Sequence, residues 1–439
     1  MHHSCPRLRR EERFLTSEGT TLVAGTSGGL PPQAWRVVAL LWIVAFLNYL
    51  DRLAITTMRG SILESIPMTE TQFGLLTSVF LWTYGLLSPI AGFAADRFGR
   101  SRVIIASLFV WSVVTWLTGH ARSFEQLLAA RVLMGFSEAF YIPAALALIA
   151  DYHGGRTRSL ATGFHMTGIF AGAGLGGLGG WLAERYAWGF AFSVFGLVGA
   201  LYAVALIALL RDRPSATVET PTVAPHRVEF IAALRSLFSQ GSFLLLLAYW
   251  GLLGLAGWAL AGWLPTYLGE HFKLGQGMAG LSATGYLQAA AFGGVLIGGA
   301  WADRWSRTRP RARILVPCIG LCLAAPGVFL AAKTSLLGAA VAGLILYGLA
   351  RSFADANMMP ILCLVADPRY RATGYGVLNF FNNLVAGLTV YAGGVLRDAQ
   401  IGLSVVFQAA AASLIVCAAI LFFVRPVRDL TPHSASSTQ

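Results

Sequence analysis

The chain has 439 residues, of which 56% are hydrophobic and 12% are charged. Soluble globular domains carry about twice that charged fraction, so the composition excludes a soluble fold and indicates a polytopic membrane protein. The net charge of +12 does not predict a nucleic-acid partner, because the sequence contains no basic, aromatic-rich polar domain, and we attribute it to arginines in cytoplasmic loops.

The amino-terminal segment is polar, mixed in charge and without the apolar core of a signal peptide. We expect residues 1–35 to form a disordered cytoplasmic tail. The five cysteines lack the spacing of metal ligands, and we interpret them as ordinary apolar residues. The sequence therefore predicts no metal site and no organic cofactor.

Twelve apolar runs follow, each long enough to cross a bilayer as a helix. They cover residues 36–57, 71–94, 101–119, 124–150, 159–182, 188–210, 241–268, 278–301, 312–332, 336–365, 371–394 and 402–424. The polar segment 211–240 separates a six-helix bundle at 36–210 from a second at 241–424, and residues 425–439 form a cytoplasmic tail. We predict an all-α membrane protein whose two bundles are related by a pseudo-two-fold axis.

Arginine is concentrated in the connections on the side of the two termini. The connections on the opposite side hold one basic residue each: Arg59, Arg122, Arg185, Lys273, Lys333 and Arg397. Because basic loops stay in the cytoplasm, both termini and the central loop are predicted to be cytoplasmic. We expect a multi-pass protein of the cell (inner) membrane that works as a monomer.

The first span contains Asn48-Tyr49-Leu50-Asp51-Arg52. At about 1.5 Å per residue, Asp51 lies about 22 Å into a hydrocarbon layer about 30 Å thick. A charge there costs about 3 kcal/mol or more, and such residues usually face a bundle interior or a water-filled cavity. We predict that Asp51 and Arg52 lie on an ion or substrate pathway with Tyr49 at the cavity wall. The alternative is a neutralising Asp51–Arg52 pair that only orients helices.

A charged loop motif occurs once in each half. Gly92-Phe-Ala-Ala-Asp-Arg-Phe-Gly-Arg100 follows the second span, and Gly299-Ala-Trp-Ala-Asp-Arg-Trp-Ser-Arg307 follows the eighth. A parallel six-plus-six repeat is typical of transporters that rock two bundles around a site at the midplane. We predict that the motif charges control this movement, or alternatively signal only topology: Asp96, Arg97, Arg100, Asp303, Arg304 and Arg307.

The fourth span carries Arg131 and Glu138, which are seven residues apart and therefore share a helix face. Arg131 is expected about 10 Å and Glu138 about 21 Å from the outer surface, within reach of the charges of span one. Low dielectric favours a protonated carboxyl, whereas a neighbouring arginine favours the ionised form. An anion that engages the arginine would therefore promote protonation, which couples the two binding events. Arg131 could instead bond a carbonyl or Glu138.

Two later spans carry further polar groups. Arg351 and Asp355 are four residues apart in span ten, where they form either a self-neutralising strut or a second substrate or proton site. Asn379 and Asn383 share a face of span eleven, where they could contact a substrate hydroxyl or join helices by hydrogen bonds.

The paired loop motif resembles that of the major facilitator superfamily, and the resemblance covers residues 36–424. Three stretches resemble its anion:cation symporter family, which carries sugar acids and other organic anions with protons: Asn48–Arg52, Arg131–Ala139 followed by Pro143, and Trp263–Leu268. That resemblance implies that Asp51 and Glu138 carry protons, that Arg131 meets the substrate anion and that Arg52 couples them. The acid and arginine pattern, with Leu148–Asp151, also resembles the spinster-type transporters of lipids and lysolipids.

The first functional hypothesis is therefore proton-coupled symport of a small organic anion, such as a sugar acid or another carboxylate, by alternating access. The alternative is spinster-like transport of lysolipids or other amphiphiles. An enzyme is not expected, because the sequence has no H-E-x-x-H motif and no paired-cysteine site, and an ATP-driven pump lacks its phosphate-binding loop. A polar cavity with Asn379 and Asn383 inside would favour the first hypothesis, and an apolar cavity the second.

Overall fold

The computed structural model describes residues 33–153, 157–212, 230–309, 311–367 and 370–425. Within them lie sixteen α-helices and one 3-10 turn at Leu175–Gly177. The helices are α1 (Ala34–Thr57), α2 (Arg59–Ser65), α3 (Glu70–Phe98), α4 (Arg100–Thr118), α5 (Phe124–Glu138), α6 (Tyr141–Tyr152), α7 (Arg158–Gly174), α8 (Leu178–Arg185), α9 (Trp188–Leu209), α10 (Phe230–Phe238), α11 (Gly241–Phe272), α12 (Gln276–Ser306), α13 (Ala312–Lys333), α14 (Leu337–Val365), α15 (Arg371–Asp398) and α16 (Leu403–Phe423). The predicted tails and most of the central loop lie outside the described residues.

The helices account for the twelve predicted spans. Ten segments are long and apolar enough to cross a membrane. With 29 and 28 residues, α3 and α15 are long enough to complete the set. Helices are required here because hydrocarbon supplies no hydrogen-bond partners, so each backbone group must be satisfied within the chain. The predicted all-α, twelve-span architecture is confirmed.

The predicted span over 124–150 is one helical segment whose hydrogen-bond ladder is interrupted once, at Ala139 and Phe140, which keep helical backbone angles. Helix α5 ends at Glu138 and α6 begins at Tyr141. Pro143 explains the interruption, since it has no N–H to donate to the carbonyl of Ala139 and its ring crowds that turn. Glu138 is consequently the last residue of α5, beside a turn and not within an unbroken helix.

The central segment, predicted to be a loop at 211–240, contains the short helix α10. Ala233 and Leu237 of this helix are fully buried, whereas Ile231 is exposed. Leu237 belongs to an apolar core cluster, and α10 packs against α11 and α15 of the second half. Residues 213–229 of the segment lie outside the described part of the chain.

Helix packing repeats between the halves. In the first half α1 packs on α7, α3 on α5, and α4 on α9. In the second half α11 packs on α15, α12 on α14, and α13 on α16. The halves meet along two corresponding seams, α3 against α15 and α12 against α7 and α8. This correspondence is what a two-fold relation between six-span bundles requires.

Two terms describe position along the bundles. The tail end is where α1 begins and α16 ends, and the far end is the opposite one. The predicted orientation makes the tail end cytoplasmic and the far end external.

Candidate functional site

A buried ion pair links the first and fourth spans. Arg52 of α1 donates to Oε2 of Glu138 from Nη2 at 2.8 Å and from Nε at 3.2 Å. The Arg52 side chain is 4% exposed and that of Glu138 is fully buried. Arg52 also donates to Oδ1 of Asn48, one turn back, at 3.3 Å. The sequence places these groups in one bundle, and the structure brings them into direct contact.

Arg52 lies in a cage of three aromatic rings. Its guanidinium carbon is 4.6 Å from the ring centroids of Tyr49 and Tyr84 and 5.0 Å from that of Phe80. Ring faces attract a cation, and the attraction is strongest where water is excluded. The cage therefore offers Arg52 a favourable environment in addition to the Glu138 carboxylate.

Asp51 lies in the same bundle, and no cationic side chain contacts it directly among the described residues. Its side chain is buried, and its one described hydrogen bond comes from Thr115 Oγ1 to Oδ2 at 3.5 Å. Oδ1 of Asp51 and Oε1 of Glu138 have no hydrogen-bond partner among the described residues. An ionised carboxylate with so few hydrogen-bond donors would be poorly compensated at this buried position.

Arg131 makes its contacts inside the protein. Its Nε donates to the carbonyl of Leu76 at 3.2 Å and its Nη1 to Met134 Sδ at 3.0 Å, and its guanidinium carbon lies 4.5 Å from the Phe80 ring centroid. Its side chain is buried, and Arg131 is not among the residues that line the central cavity. In this conformation Arg131 joins α5 to α3, as in the alternative of a bond to a carbonyl, and its contact with a substrate anion stays a prediction.

A central cavity of about 450 Å³ lies between the halves. Its wall is formed largely by the second half, through α11, α12, α14 and α15, while the first half contributes Tyr49, Leu53 and part of α7. Most lining residues are apolar, among them Phe170, Trp258 and Leu287. The cavity is thus offset toward the second half, away from the Arg52–Glu138 pair.

The charged residues of the cavity wall are Arg351 and Asp355. Nη1 of Arg351 lies 2.7 Å from Oδ2 of Asp355, as expected for residues four apart on one helix. Their side chains are 23% and 27% exposed, so the pair is accessible from the cavity. Nε of Arg351 is itself buried and has no hydrogen-bond partner among the described residues.

The asparagines of span eleven are divided between the cavity and a helix seam. Asn379 Nδ2 lies 3.5 Å from Ser88 Oγ of α3, and Asn383 Nδ2 donates to the Asn379 carbonyl at 2.8 Å. Neither residue is among those that line the cavity in this conformation, and both lie in the α3–α15 seam, as in the alternative of hydrogen bonds that join helices. Their neighbour Asn382 lines the cavity and donates to the Trp250 carbonyl at 2.7 Å.

Two ion pairs described at the tail end each lie within one half. Arg100 of α4 pairs with Asp151 of α6 and donates to the Ala147 carbonyl at 2.9 Å. In the second half, Asp303 pairs with Arg313 at 2.8 Å. Three more motif arginines are exposed at this end: Arg97, Arg304 and Arg307. Asp96 lies in the last turns of α3, and its side chain is outside the described part of the structure.

At the far end, two carboxylates that were not among the predicted site residues join the halves by hydrogen bonds. Glu184 of α8 accepts the backbone N–H groups of Gln276 and Gly277 at the start of α12, both at 3.0 Å. Asp398 of α15 accepts those of Glu70 and Thr71 at the start of α3, at 3.0 and 2.9 Å. Each carboxylate thus caps the first two residues of a helix in the other half.

A four-residue ion network lies beside these caps. Arg397 of α15 contacts Glu270 of α11 at 2.8 Å and Glu70 of α3 at 3.2 Å. Arg59 of α2 pairs with the same Glu70 and lies 3.3 Å from Glu270. The network therefore bridges the halves from both sides. Spans five and eleven both end in an acidic and a basic residue side by side, Glu184-Arg185 and Arg397-Asp398, which is the signal that could have indicated these roles.

Comparison with known families gives one match that extends over most of the chain. The sequence model of the Major Facilitator Superfamily matches residues 41–390 and 310–438. Among individual proteins, the chain is 28% identical over 384 residues to protein spinster homolog 1 of Xenopus tropicalis, covering 82% of this chain and 72% of that protein. It is 28% identical over 372 residues to the sphingosine-1-phosphate transporter SPNS2 of Mus musculus, covering 79% of this chain and 66% of that protein.

Solved structures include a similar fold. One is described as the crystal structure of a bacterial homolog to the human lysosomal transporter spinster, in an inward-facing and unoccupied conformation. The TM-score is 0.72, the sequence identity is 23%, and the alignment covers 90% of this chain and 96% of that one. At this identity the likeness establishes the shared fold.

Proposed function

Because this chain belongs to the major facilitator superfamily, we propose that it is a proton-coupled secondary transporter of an amphiphile with an anionic headgroup. The predicted superfamily is confirmed. The similar proteins reported above are spinster-type proteins, which supports the alternative hypothesis of amphiphile transport. They give no support for membership of the anion:cation symporter family. Transport of a small organic anion remains the second candidate, and the buried acid and arginine cluster of the first half is what favours it.

The observation that carries the proposal is the lining of the central cavity. One arginine, Arg351, lies among mainly apolar side chains, and its guanidinium pairs with the carboxylate of Asp355. A phosphate or carboxylate headgroup would compete for that guanidinium, and Arg suits this role because its planar fork binds such groups bidentately. The adjacent Met358 and Met359 supply the adaptable apolar surface that an alkyl chain needs.

The same cavity offers a route from substrate to proton. Tyr49 lines the cavity, and its ring lies 4.6 Å from the guanidinium carbon of Arg52. Arg52 in turn holds the carboxylate of Glu138. We assign proton binding to Asp51 and Glu138, and coupling to Arg52. A substrate that displaces Tyr49 would alter the Arg52–Glu138 pair and hence the proton affinity of Glu138.

The closed end supports alternating access as the mechanism. Hydrogen bonds between the halves run from the caps at the far end down to Asn379 and Ser88. The ion pairs Arg100–Asp151 and Asp303–Arg313 of the tail end each belong to one half. With the predicted orientation, this is a conformation closed to the outside. Transport would then require the caps to open while contacts form at the tail end.

The decisive experiment uses proteoliposomes with an internal pH dye and fluorescent lysophospholipids. Albumin outside the vesicles extracts labelled lipid from the outer leaflet, so the residual fluorescence reports transport. We expect a proton gradient to drive lysolipid movement, and we expect Arg351→Gln to lower the rate at least tenfold. Arg309→Gln, an exposed charge away from the cavity, is the matched control and should behave like the wild type.

A parallel panel of sugar acids and small carboxylates tests the second candidate. Acidification of the lumen by one of these anions, with no lysolipid movement, would replace the amphiphile proposal with small-anion symport. Proton-independent lysolipid movement would leave the substrate class intact and remove the coupling role of Asp51 and Glu138. The proposed substrate class and the proposed proton coupling can therefore be disproved independently.

A further inference from the structure

A groove on the outer face of the first half opens between α4 and α9 at the tail end. Its volume is about 780 Å³, and it shares no residue with the central cavity. We call it the lateral groove. The apolar wall consists of Ile105, Ala106, Phe109, Val204, Ile207 and Leu210. The basic residues at its mouth are Arg102 and Arg211, so the groove combines an apolar wall with a cationic mouth.

The shape of the lateral groove follows from the packing of its two helices. Farther from the tail end, α9 approaches α4 closely because Gly196 has no Cβ; one added there would lie 2.6 Å from the Ser112 carbonyl and 2.7 Å from Trp116 Cβ. Toward the tail end α9 continues with larger residues, including Val204 and Ile207, and the surfaces separate. Phe109, Val204 and Ile207 are exposed on this outer surface, which a bilayer would cover.

The charges at the mouth are available to a ligand. Arg102 and Arg211 are exposed, and within the described part of the chain neither guanidinium is held by an ion pair. The nearby carboxylate of Asp212 accepts the backbone N–H of Ser101 at 2.8 Å, so it has a structural task at the start of α4. The mouth therefore carries two arginines against one engaged carboxylate, a net positive charge.

The position of the lateral groove along the helices fits a phospholipid molecule. The basic residues lie where α4 begins and just beyond the end of α9, at the membrane–water boundary. From Arg102 to Phe109 the apolar wall runs about 10 Å into the hydrocarbon layer. An acyl chain lies along such a wall, and a headgroup phosphate reaches the arginines. Basic pockets at the cytoplasmic side of membrane helices bind anionic headgroups in this manner.

We propose that the lateral groove is a binding site for an anionic phospholipid of the surrounding bilayer, held by Arg102 and Arg211. The site is independent of the transported substrate, because the groove lies outside the central cavity. The proposal commits to a lipid because the apolar wall would have no role for a free phosphate. A zwitterionic phospholipid would meet the same wall without the favourable net charge.

The test is native mass spectrometry of the purified full-length protein in mild detergent, titrated with phosphatidylglycerol or phosphatidylcholine. We expect the wild-type protein to bind phosphatidylglycerol more tightly than phosphatidylcholine. The double variant Arg102→Gln/Arg211→Gln should weaken its binding about tenfold, because it removes both cations that attract the anionic headgroup and leaves neutral hydrogen-bond donors in their place. Ala106→Trp, which fills the groove without a charge change, should also weaken it.

The matched control is Arg158→Gln/Arg309→Gln, which removes two exposed arginines of the same end outside the groove. It should bind phosphatidylglycerol like the wild type. The proposal is overturned if the Arg102/Arg211 variant keeps full binding, if the control loses as much, or if phosphatidylcholine binds equally well. Melting temperatures without lipid establish that each variant is folded, and because all four arginines are exposed they should not change.

Discussion

Glu184 and Asp398 perform the same task in opposite directions across the interface between the halves. Glu184, in the first half, caps α12 of the second, and Asp398, in the second half, caps α3 of the first. Each accepts the first two backbone N–H groups of its helix. Two-fold related positions thus supply two equivalent latches at the far end, and both must open together for the halves to separate there.

Removal of either latch is expected to favour opening of the far end. Glu184→Ala takes away the acceptor of two helix-terminal N–H groups, which costs the closed state about 1 kcal/mol, a roughly fivefold shift in the equilibrium. Asp398→Ala should act in the same direction. The measurement is the electron–electron distance between spin labels at Ser65→Cys and Lys273→Cys, two exposed positions on opposite halves. Glu125→Ala is the exposed control, and distances unchanged in both latch variants would mean that the caps do not hold this end.

Gly177 provides a separate test of the closed far end. A Cβ at this position would lie 2.6 Å from the backbone carbon of Gly280 and would also meet the Leu281 nitrogen, both in the opposite half. Gly177→Ala should therefore disfavour closure, at a cost of about 1–3 kcal/mol for overpacking. Gly163→Ala, in the same span with nothing within 4 Å, is the control. We expect longer spin-label distances for Gly177→Ala alone; equal behaviour of the two variants would argue against a tight approach.

Arg131 allows a clear distinction between a structural and a substrate-binding role. Its contacts with the Leu76 carbonyl, Met134 and the Phe80 ring are all internal. Lys cannot reproduce this planar arrangement, so Arg131→Lys should lower stability by about 1–3 kcal/mol and reduce the maximal transport rate while KM stays constant. The checks are the melting temperature and the substrate dependence of transport. A raised KM with an unchanged melting temperature would restore Arg131 as the anion contact.

Local sequence patterns predicted the side-chain contacts that form within one helix or within one bundle. The spacing of Arg131 and Glu138 placed them on a common face near Arg52, and the i, i+4 spacing predicted the Arg351–Asp355 pair. The interruption after Glu138 was missed because hydrophobicity is continuous across it, although Pro143 was a usable signal. Relations between the halves could not be predicted, since the rotation of one bundle against the other determines which faces meet.

That limit explains two features of the interface between the halves. From the sequence, Asn379 and Asn383 share one face of span eleven and Asn382 lies on another, but the sequence does not show which face meets the cavity. Only the approach of α3 to α15 decides that Asn383 packs in the seam and Asn382 lines the cavity. In the same way, Arg131 and Arg351 are both arginines within spans. The cavity is offset toward the second half, so Arg351 lines it and Arg131 is buried away from it.

The buried Arg52–Glu138 pair gives the sharpest prediction about coupling. Glu138→Gln retains an oxygen acceptor for Arg52 and mimics the protonated carboxyl, so the local packing should persist. A transporter with this residue permanently neutral should still exchange substrate across the membrane but should lose accumulation driven by a proton gradient. Exchange and gradient-driven uptake are measured in the same proteoliposomes, with Glu125→Gln as an exposed control on the same helix. Accumulation at the wild-type level would assign the proton to Asp51 alone, because Asp51 is the other carboxyl of the buried cluster and has no direct cationic partner among the described residues.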